Sequence, residues 1–465
     1  MHPSMSSLTR LKANKFRVGI LSLGCPKTLV DSELILGKLD PSRYDIAPSV
    51  TDCDVALINT CAFIEDAQRE SIDHILQLIG LKKEGIIKRL IVMGCLTQRF
   101  APELQKELKE VDAFVGSGEY AKIPSIIERA TQGQEVVEIG LPGYLYTSAE
   151  KRVSLTPTYS RYLKISEGCD HTCSFCVIPS FRGKHRSRGL DDVVEEAKRL
   201  QAEGARELIL TGQDTTFFGH DTHGQYLLPQ LLEKLNGLSG IQWIRILYAY
   251  PSLVSEEMIA KIASLDKVCH YLDMPLQHAS DRILKSMKRG TTRDSTRRLI
   301  EKLRSRIPDL AIRTTFIVGY PGETPEEYQE LIDFIWWARF ERMGIFTFSA
   351  ERGSFAAQLP GQVPEKTKKM RLQEAMLIQQ TIAEENNKKL MGKELDILVE
   401  EWDPKLAQGR GRTYMDAPEV DGSVFFCAEA DAPRILPHVG EFITVQIQDT
   451  KEYDLVGVIT KPSLA

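Results

Sequence analysis

Short apolar runs and longer amphipathic segments alternate along most of this chain, and the pattern changes character near its end. Over residues 16–130 the runs Arg17–Leu23, Val55–Asn59, Leu90–Met93 and Ala113–Gly116 predict strands. The segments Val30–Leu39, Glu65–Leu81, Pro102–Glu110 and Ile123–Arg129 predict helices between and after them. A helix after every strand is the signature of βαβ units, hence an open parallel sheet covered by helices. The alternation resumes with strands expected at Arg161–Ile165, Glu207–Leu210, Trp243–Leu247, Tyr271–Met274, Arg313–Val318 and Gly344–Phe348. Helices are expected between them, among others at Leu190–Gln201, Glu256–Ala263, Thr292–Arg306 and Pro325–Trp337. Six such units predict a partial, TIM-like (β/α)6 barrel rather than a closed eight-stranded one.

After a charged amphipathic helix, Lys366–Lys389, the period becomes that of short strands: Leu395–Glu400, Val424–Cys427, Phe442–Ile447 and Leu455–Ile459. Turn residues such as Asp421-Gly422 separate them, which suits a small five-stranded, OB-like all-β barrel. The fold class expected is therefore α/β multidomain. Its parts are an N-terminal domain over residues 16–130, a linker over 131–160, a partial barrel over 161–365, a connecting helix over 366–390 and a C-terminal barrel over 391–465.

Composition narrows the function. With 42% hydrophobic and 26% charged residues in 465, the chain can bury several cores and is neither disordered nor collagenous. No run approaches the ~20 apolar residues of a membrane span, and Met1–Lys15 lacks the apolar core of an export signal. A cytoplasmic protein without a membrane partner is expected. The net charge of −5 excludes a nucleic-acid-binding polycation as a description of the whole chain. Nine cysteines, an odd number without an export signal, favour metal or redox chemistry over a disulfide framework.

Three of these cysteines crowd into Cys169-Asp170-His171-Thr172-Cys173-Ser174-Phe175-Cys176. Buried structural thiols do not usually cluster so densely. A closed zinc site, the alternative, wants a fourth ligand at finger-like spacing, whereas iron–sulfur loops are this rich in cysteine. Three thiolates on a four-iron cubane leave one iron open, an arrangement for chemistry. Cys25, Cys61 and Cys95 form a second, dispersed set, each two residues past a predicted strand and about one βα unit apart. Such positions share the carboxyl edge of a parallel sheet, where ligand sites form. The expected role is a second three-thiolate cluster, with ordinary strand-end packing as the alternative. Cys53, Cys269 and Cys427 are read as packing residues.

The triplet, with an aromatic before its last cysteine, resembles the signature of the radical S-adenosylmethionine (SAM) enzymes. The resemblance implies that the open iron chelates SAM and that one electron cleaves it to a hydrogen-abstracting radical. It also implies that Phe175 packs near the adenine, unless it is simply a core phenylalanine. Gln213 and Gln277, at the expected carboxyl ends of the second and fourth barrel strands, can bond a ribose or amino-acid head group, with turn chemistry as the alternative. Gly319–Thr324 after the fifth strand reads as a turn opening a helix, with Thr324 as N-cap before Pro325. The basic stretch Phe181–Arg188 is either a solvated loop or a source of charge for the SAM carboxylate, with Arg182 preferred. No side-chain acid or base is assigned.

The block around Gly409-Arg410-Gly411-Arg412 and Asp416–Gly422 resembles a TRAM domain, an appendage usually associated with RNA. Residues 391–465, however, hold seven Lys and Arg against fourteen Asp and Glu. Such a surface repels a phosphate backbone and attracts a basic partner, so RNA binding is not favoured. From Phe16 onward the order of parts resembles the methylthiotransferases. One branch of that family modifies a transfer-RNA adenosine; the other modifies an aspartate β-carbon in the twelfth protein of the small ribosomal subunit. Leu21–Lys27, Glu167–Cys176 and Tyr271–His278 look like the second branch, apart from Thr28, where asparagine is expected. The implied cofactors are two 4Fe–4S clusters and SAM, one SAM donating a methyl group and a second serving as radical source. The implied partners are the basic ribosomal protein, met by the acidic barrel, an electron donor and a sulfur donor.

Overall fold

The computed structural model describes residues 15–428 and 437–461. The export-signal reading of residues 1–14 and the barrel stretches 429–436 and 462–465 lie outside them. The chain forms two units, one built from residues up to 144 with 149–153, the other from 145–148 with 154 onward.

The first unit is a parallel sheet of strands β1 (Phe16–Ser22), β2 (Tyr44–Ile46), β3 (Val55–Thr60), β4 (Arg89–Gly94), β5 (Ala113–Gly116) and β6 (Val136–Glu138), in the order β2-β1-β3-β4-β5-β6. Helices α1 (Pro26–Gly37), α2 (Glu65–Lys83), α3 (Cys95–Glu107) and α4 (Ile123–Thr131) connect them. The central strands are covered on both faces, which is why β3 is buried at every position and reads as a continuous apolar run. The edge strands β2 and β6 have three residues each, too few to show a period, and neither was expected. β6 lies within the stretch read as a linker. Helix α3 starts at Cys95, well before the expected Pro102, because the helix kinks at Phe100 and Pro102 opens only its second part.

In the second unit six strands, β7 (Ser160–Lys164), β10 (Glu207–Thr211), β11 (Trp243–Ile246), β12 (Val268–Asp273), β13 (Ala311–Val318) and β14 (Arg342–Thr347), lie side by side in chain order and all parallel. Between β7 and β10, β8 (Ser166–Glu167) pairs antiparallel with β9 (Arg186–Ser187), closing the base of a loop that contains helix α5 (Ile178–Arg182). The remaining helices are α6 (Leu190–Ala202), α7 (His220–His223), α8 (Leu228–Asn236), α9 (Glu256–Ser264), α10 (Asp281–Ser286), α11 (Arg293–Arg306) and α12 (Pro325–Ala338). Thr324 caps α12 as expected, accepting from the Glu327 amide at 3.3 Å, with Pro325 in the first turn. Helix α13 (Glu365–Lys388) leads to a closed barrel, β15 (Glu394–Asp403), β16 (Gln408–Arg412), β17 (Val424–Cys427), β19 (Asp454–Lys461) and β18 (Phe442–Lys451). Strand β16, Gln-Gly-Arg-Gly-Arg, carries no apolar side chain and so leaves no trace in hydrophobic periodicity. No helix among the described residues is long and apolar enough to cross a membrane.

Charge joins the closed barrel to the parallel strands. Glu207, the first residue of β10 and fully buried, accepts from Arg245 at 2.8 Å, Arg412 at 2.7 Å and Ser160 at 2.7 Å. Burial acts to raise its carboxyl, but Arg412 and Arg245 prevail and hold it at about 2. The loop after β16 continues the network: Arg342 bonds Asp416 at 2.7 Å, and Asp421 accepts from Arg313 at 3.2 Å and Tyr271 at 2.9 Å. Part of the C-terminal barrel's acidity is therefore turned inward onto arginines of β13 and β14.

Removing Glu207 would leave Arg245 and Arg412 buried without their carboxylate. Glu207→Ala should lower unfolding free energy by about 3–5 kcal/mol in urea titrations at neutral pH. Because its folded pKa lies below the ordinary 4.5, the stability it contributes is complete above that value and drains as pH falls toward 2. The gap between wild type and variant should close over the same range.

Candidate functional site

Parallel register brings the dispersed cysteines onto one edge. Ser22 of β1 pairs with Asn59 of β3, and Thr60 of β3 pairs with Gly94 of β4. Cys25, Cys61 and Cys95 follow these strand ends on three adjacent strands, whereas Cys53 precedes β3 at the opposite end and donates to the Val50 carbonyl at 3.2 Å. Gly24 has φ +93°, and a Cβ there would come within 2.7 Å of the Cys61 Cβ, so the turn carrying Cys25 rests directly against Cys61. Cys61 and Cys95 are buried and Cys25 is half-buried.

A polar network below this edge fixes the turns. Thr28 Oγ1 accepts from the Cys25 amide at 3.1 Å and lies 2.9 Å from the Leu23 carbonyl. Asn59 donates to the Thr28 carbonyl and Ser32 Oγ, each at 3.0 Å. Ser71 Oγ accepts from the Cys61 amide at 3.1 Å and lies 3.0 Å from its carbonyl. Thr28, the departure from the expected asparagine, thus supplies the acceptor that starts α1 at Cys25.

Cys169, Cys173 and Cys176 sit half-buried in the loop closed by β8 and β9. A Cβ at Gly168, with φ +81°, would lie 2.0 Å from the Lys184 carbonyl, so only glycine lets the two arms of the loop meet there. Burial pushes the Cys169 and Cys176 thiols up to about 12. Thiolates here would therefore need a positive partner, such as a bound iron. Among the described residues no three His, Cys, Asp or Glu side chains converge tightly enough to hold a metal ion by themselves. A cubane interposes its own iron and sulfide between its ligands and asks for a wider spacing.

The SAM candidates fall around this loop. Phe175 packs on the cluster of Ile283, Met287, Tyr320, Phe348 and Ala356. Gln213 donates to Glu167 at 2.8 Å, and its Oε1, Ser166 Oγ and Thr211 Oγ1 are buried with no partner among the described residues. Three unspent hydrogen-bonding atoms at the carboxyl ends of β7 and β10 fit a polar ligand there. Gln277, with φ +76°, is held through its backbone to Thr315 and Ile317. The basic stretch is not a solvated loop. Arg182 and Arg188 are buried, Arg188 pairs with Asp192 and Glu196, and Arg182 faces Glu167 at 3.4 Å.

Sequence reasoning missed the residues that brace the triplet. Glu167, next to the motif, is buried with Lys164 at 2.9 Å; burial acts to raise its carboxyl, but Lys164 and Arg182 hold it well below the usual range. His171 bonds Asp214 at 2.7 Å and stacks on Tyr250 with centroids 3.7 Å apart. Arg289 reaches Cys173 Sγ from far along the chain, at 3.5 Å. Glu167 and His171 carried a local signal, beside and inside the motif; Tyr250 and Arg289, far along the chain, carried none.

Three family profiles match the chain: the uncharacterized protein family UPF0004 over residues 17–116, the radical SAM superfamily over 163–335 and the TRAM domain over 391–460. Among solved structures, the radical SAM methyltransferase TsrM from Kitasatospora setae, with tryptophan and a SAM analogue bound, shares the fold at TM-score 0.53. It is 15% identical, over 71% of this chain and 73% of that one. Fold and cysteine loop together define a radical SAM enzyme. Ribosomal protein uS12 methylthiotransferases RimO are similar almost end to end. That of Pelotomaculum thermopropionicum is 45% identical over 95% of this chain and 98% of its own. That of Geobacter sulfurreducens is 43% identical over 96% and 99%. The chain belongs to the RimO family of radical SAM methylthiotransferases, whose cofactors are SAM and 4Fe–4S clusters.

The Thr28 hydroxyl is a side-chain acceptor on the Cys25 amide. Thr28→Val keeps the shape and deletes it. Urea unfolding should show a loss of about 1 kcal/mol, as for other N-terminal helix caps.

Proposed function

We propose that this chain methylthiolates the β-carbon of an aspartate in the twelfth small-subunit ribosomal protein, uS12, in the cytoplasm. The observation that carries the reading is the placement of two sets of three cysteines, each at the carboxyl edge of its own parallel sheet. The names of the relatives support the substrate.

Cys25, Cys61 and Cys95 would hold one 4Fe–4S cluster, and Cys169, Cys173 and Cys176 the other. When bound, the clusters and SAM would supply a methyl group and the radical chemistry that activates the substrate carbon, with one SAM as methyl donor and a second as radical source. The chain's own work is binding and exclusion. Phe175 and its apolar neighbours shield the triplet from water. Gln213, with Ser166 and Thr211, presents the hydrogen bonds a SAM molecule can use. Glu167 pairs with both Lys164 and Arg182 and fixes the loop arms, so Arg182 acts through Glu167 rather than as an isolated cation. Gln277 marks the β12 end of the same site. A one-electron donor and a sulfur source complete the reaction.

The acidic barrel is the proposed docking surface for the basic ribosomal protein. Asp416 and Asp421 are engaged by Arg342 and Arg313. The surface left for a partner is carried by exposed acids such as Asp396, Asp403, Glu419, Asp449 and Glu452. The other reading, modification of a transfer-RNA adenosine, draws on the TRAM domain.

Two experiments test the proposal. With anaerobically reconstituted protein, any single triplet Cys→Ala variant should lose reductive SAM cleavage. Cys25→Ala should keep cleavage yet add no methylthio mass to uS12 by mass spectrometry; normal methylthiolation by that variant refutes the second cluster. In binding assays at low salt the protein should bind uS12, with affinity falling as salt rises, and should not bind transfer RNA. The opposite selectivity would favour the RNA reading.

A further inference from the structure

Helix α10 ends against the triplet loop. The carbonyls of Ser286 and Met287 accept from Ser174 Oγ at 2.8 Å and Ser174 N at 3.1 Å. The helix stops in a Schellman motif, with the Lys288 amide on the Lys285 carbonyl at 3.0 Å and the Arg289 amide on the Leu284 carbonyl at 2.9 Å. The left-handed position in that motif usually belongs to glycine, but here it is Lys288, at φ +56°. A lysine there costs about 1–2 kcal/mol. The strained turn fixes where Arg289 leaves the backbone. Its guanidinium then makes three contacts: Nη1 to Cys173 Sγ at 3.5 Å, Nη2 to the Pro275 carbonyl at 2.7 Å, and its cation over the Tyr250 ring at 4.1 Å. Tyr250 in turn stacks on His171, inside the triplet loop.

We infer that Arg289 is a positioning residue for the radical SAM cluster, donating an N–H to the Cys173 thiolate and setting the cluster's reduction potential. The inference rests on the reading that Cys169, Cys173 and Cys176 hold that cluster. A one-electron reduction adds negative charge to the cluster and its thiolates. A guanidinium donating to one of those sulfurs favours the reduced form and raises the potential. Its second arm on Pro275 ties this donor to the segment that carries Gln277, so donor and site edge keep a fixed relation.

The sign of the effect separates this role from a merely structural one. Loosening the loop admits water, which also favours the more highly charged reduced form and shifts the potential upward. Losing the donor and its charge shifts it downward.

The test uses the full chain with Cys25, Cys61 and Cys95 all replaced by alanine, so that a cluster at the triplet is observed alone. After anaerobic reconstitution, its potential is followed by electron paramagnetic resonance during titration with dithionite. Arg289→Met should lower the reduced-to-oxidised ratio at a fixed poise about tenfold, or about 59 mV for one electron. Arg289→Lys, which keeps the charge but not the planar fork, should fall between. An unmoved or raised potential in Arg289→Met, with the cluster intact by iron and sulfide content, overturns the inference alone. Absence of a 4Fe–4S signal from the chain that retains Arg289 overturns the cluster reading, and the inference with it.

Discussion

A cubane held by three thiolates can be built only where the backbone brings three cysteines to one place without burying an unpaired polar group on the way. Parallel strands meet that constraint at their carboxyl ends, where each strand turns abruptly and the next residues are free to serve a ligand. In the first unit the register of β1, β3 and β4 does the positioning, setting Cys25, Cys61 and Cys95 just after the ends of three adjacent strands, and Thr28, Asn59 and Ser71 absorb the amides and carbonyls that the turns expose. In the second unit one long loop does it instead. Its three cysteines are close in sequence, and its bracing comes from Glu167 at its base and from Asp214, Tyr250 and Arg289 farther along the chain.

The two solutions differ in how legible they are. The triplet is local, so spacing alone raised it. The dispersed set became visible only through the phase of its cysteines relative to predicted strands, which the register bears out. All six strands of the parallel sheet in the second unit were legible because each carries apolar or β-branched residues at strand length between helical segments. What escaped was short or polar. Strands β2 and β6 span three residues each, and β16 alternates glycine with arginine, so none has a hydrophobic period to read.

The residues that brace the site escaped for a different reason. Arg289 touches Cys173 only because α10 ends where it does, a fact of tertiary packing across 116 positions of chain. The charge argument for the C-terminal barrel counts residues without placing them. A count of acidic residues cannot tell which of them face arginines of the same chain, as Asp416 and Asp421 do. Arg342–Asp416 is buried and Arg313–Asp421 largely so, and the two pairs join parts of the second unit by charge, specifying orientation as well as contact.

The two-residue ladder of β8 and β9 has a consequence for assembly. By pairing Ser166 with Ser187 and Glu167 with Arg186, it pins both ends of the cysteine loop independently of anything the loop contains. Most of the entropy of closing that loop is lost when the polypeptide folds, not when inorganic ions arrive. The arms of the loop are thus ordered by the polypeptide's own backbone pairing, which leaves the residues between them less to lose when they take up a ligand.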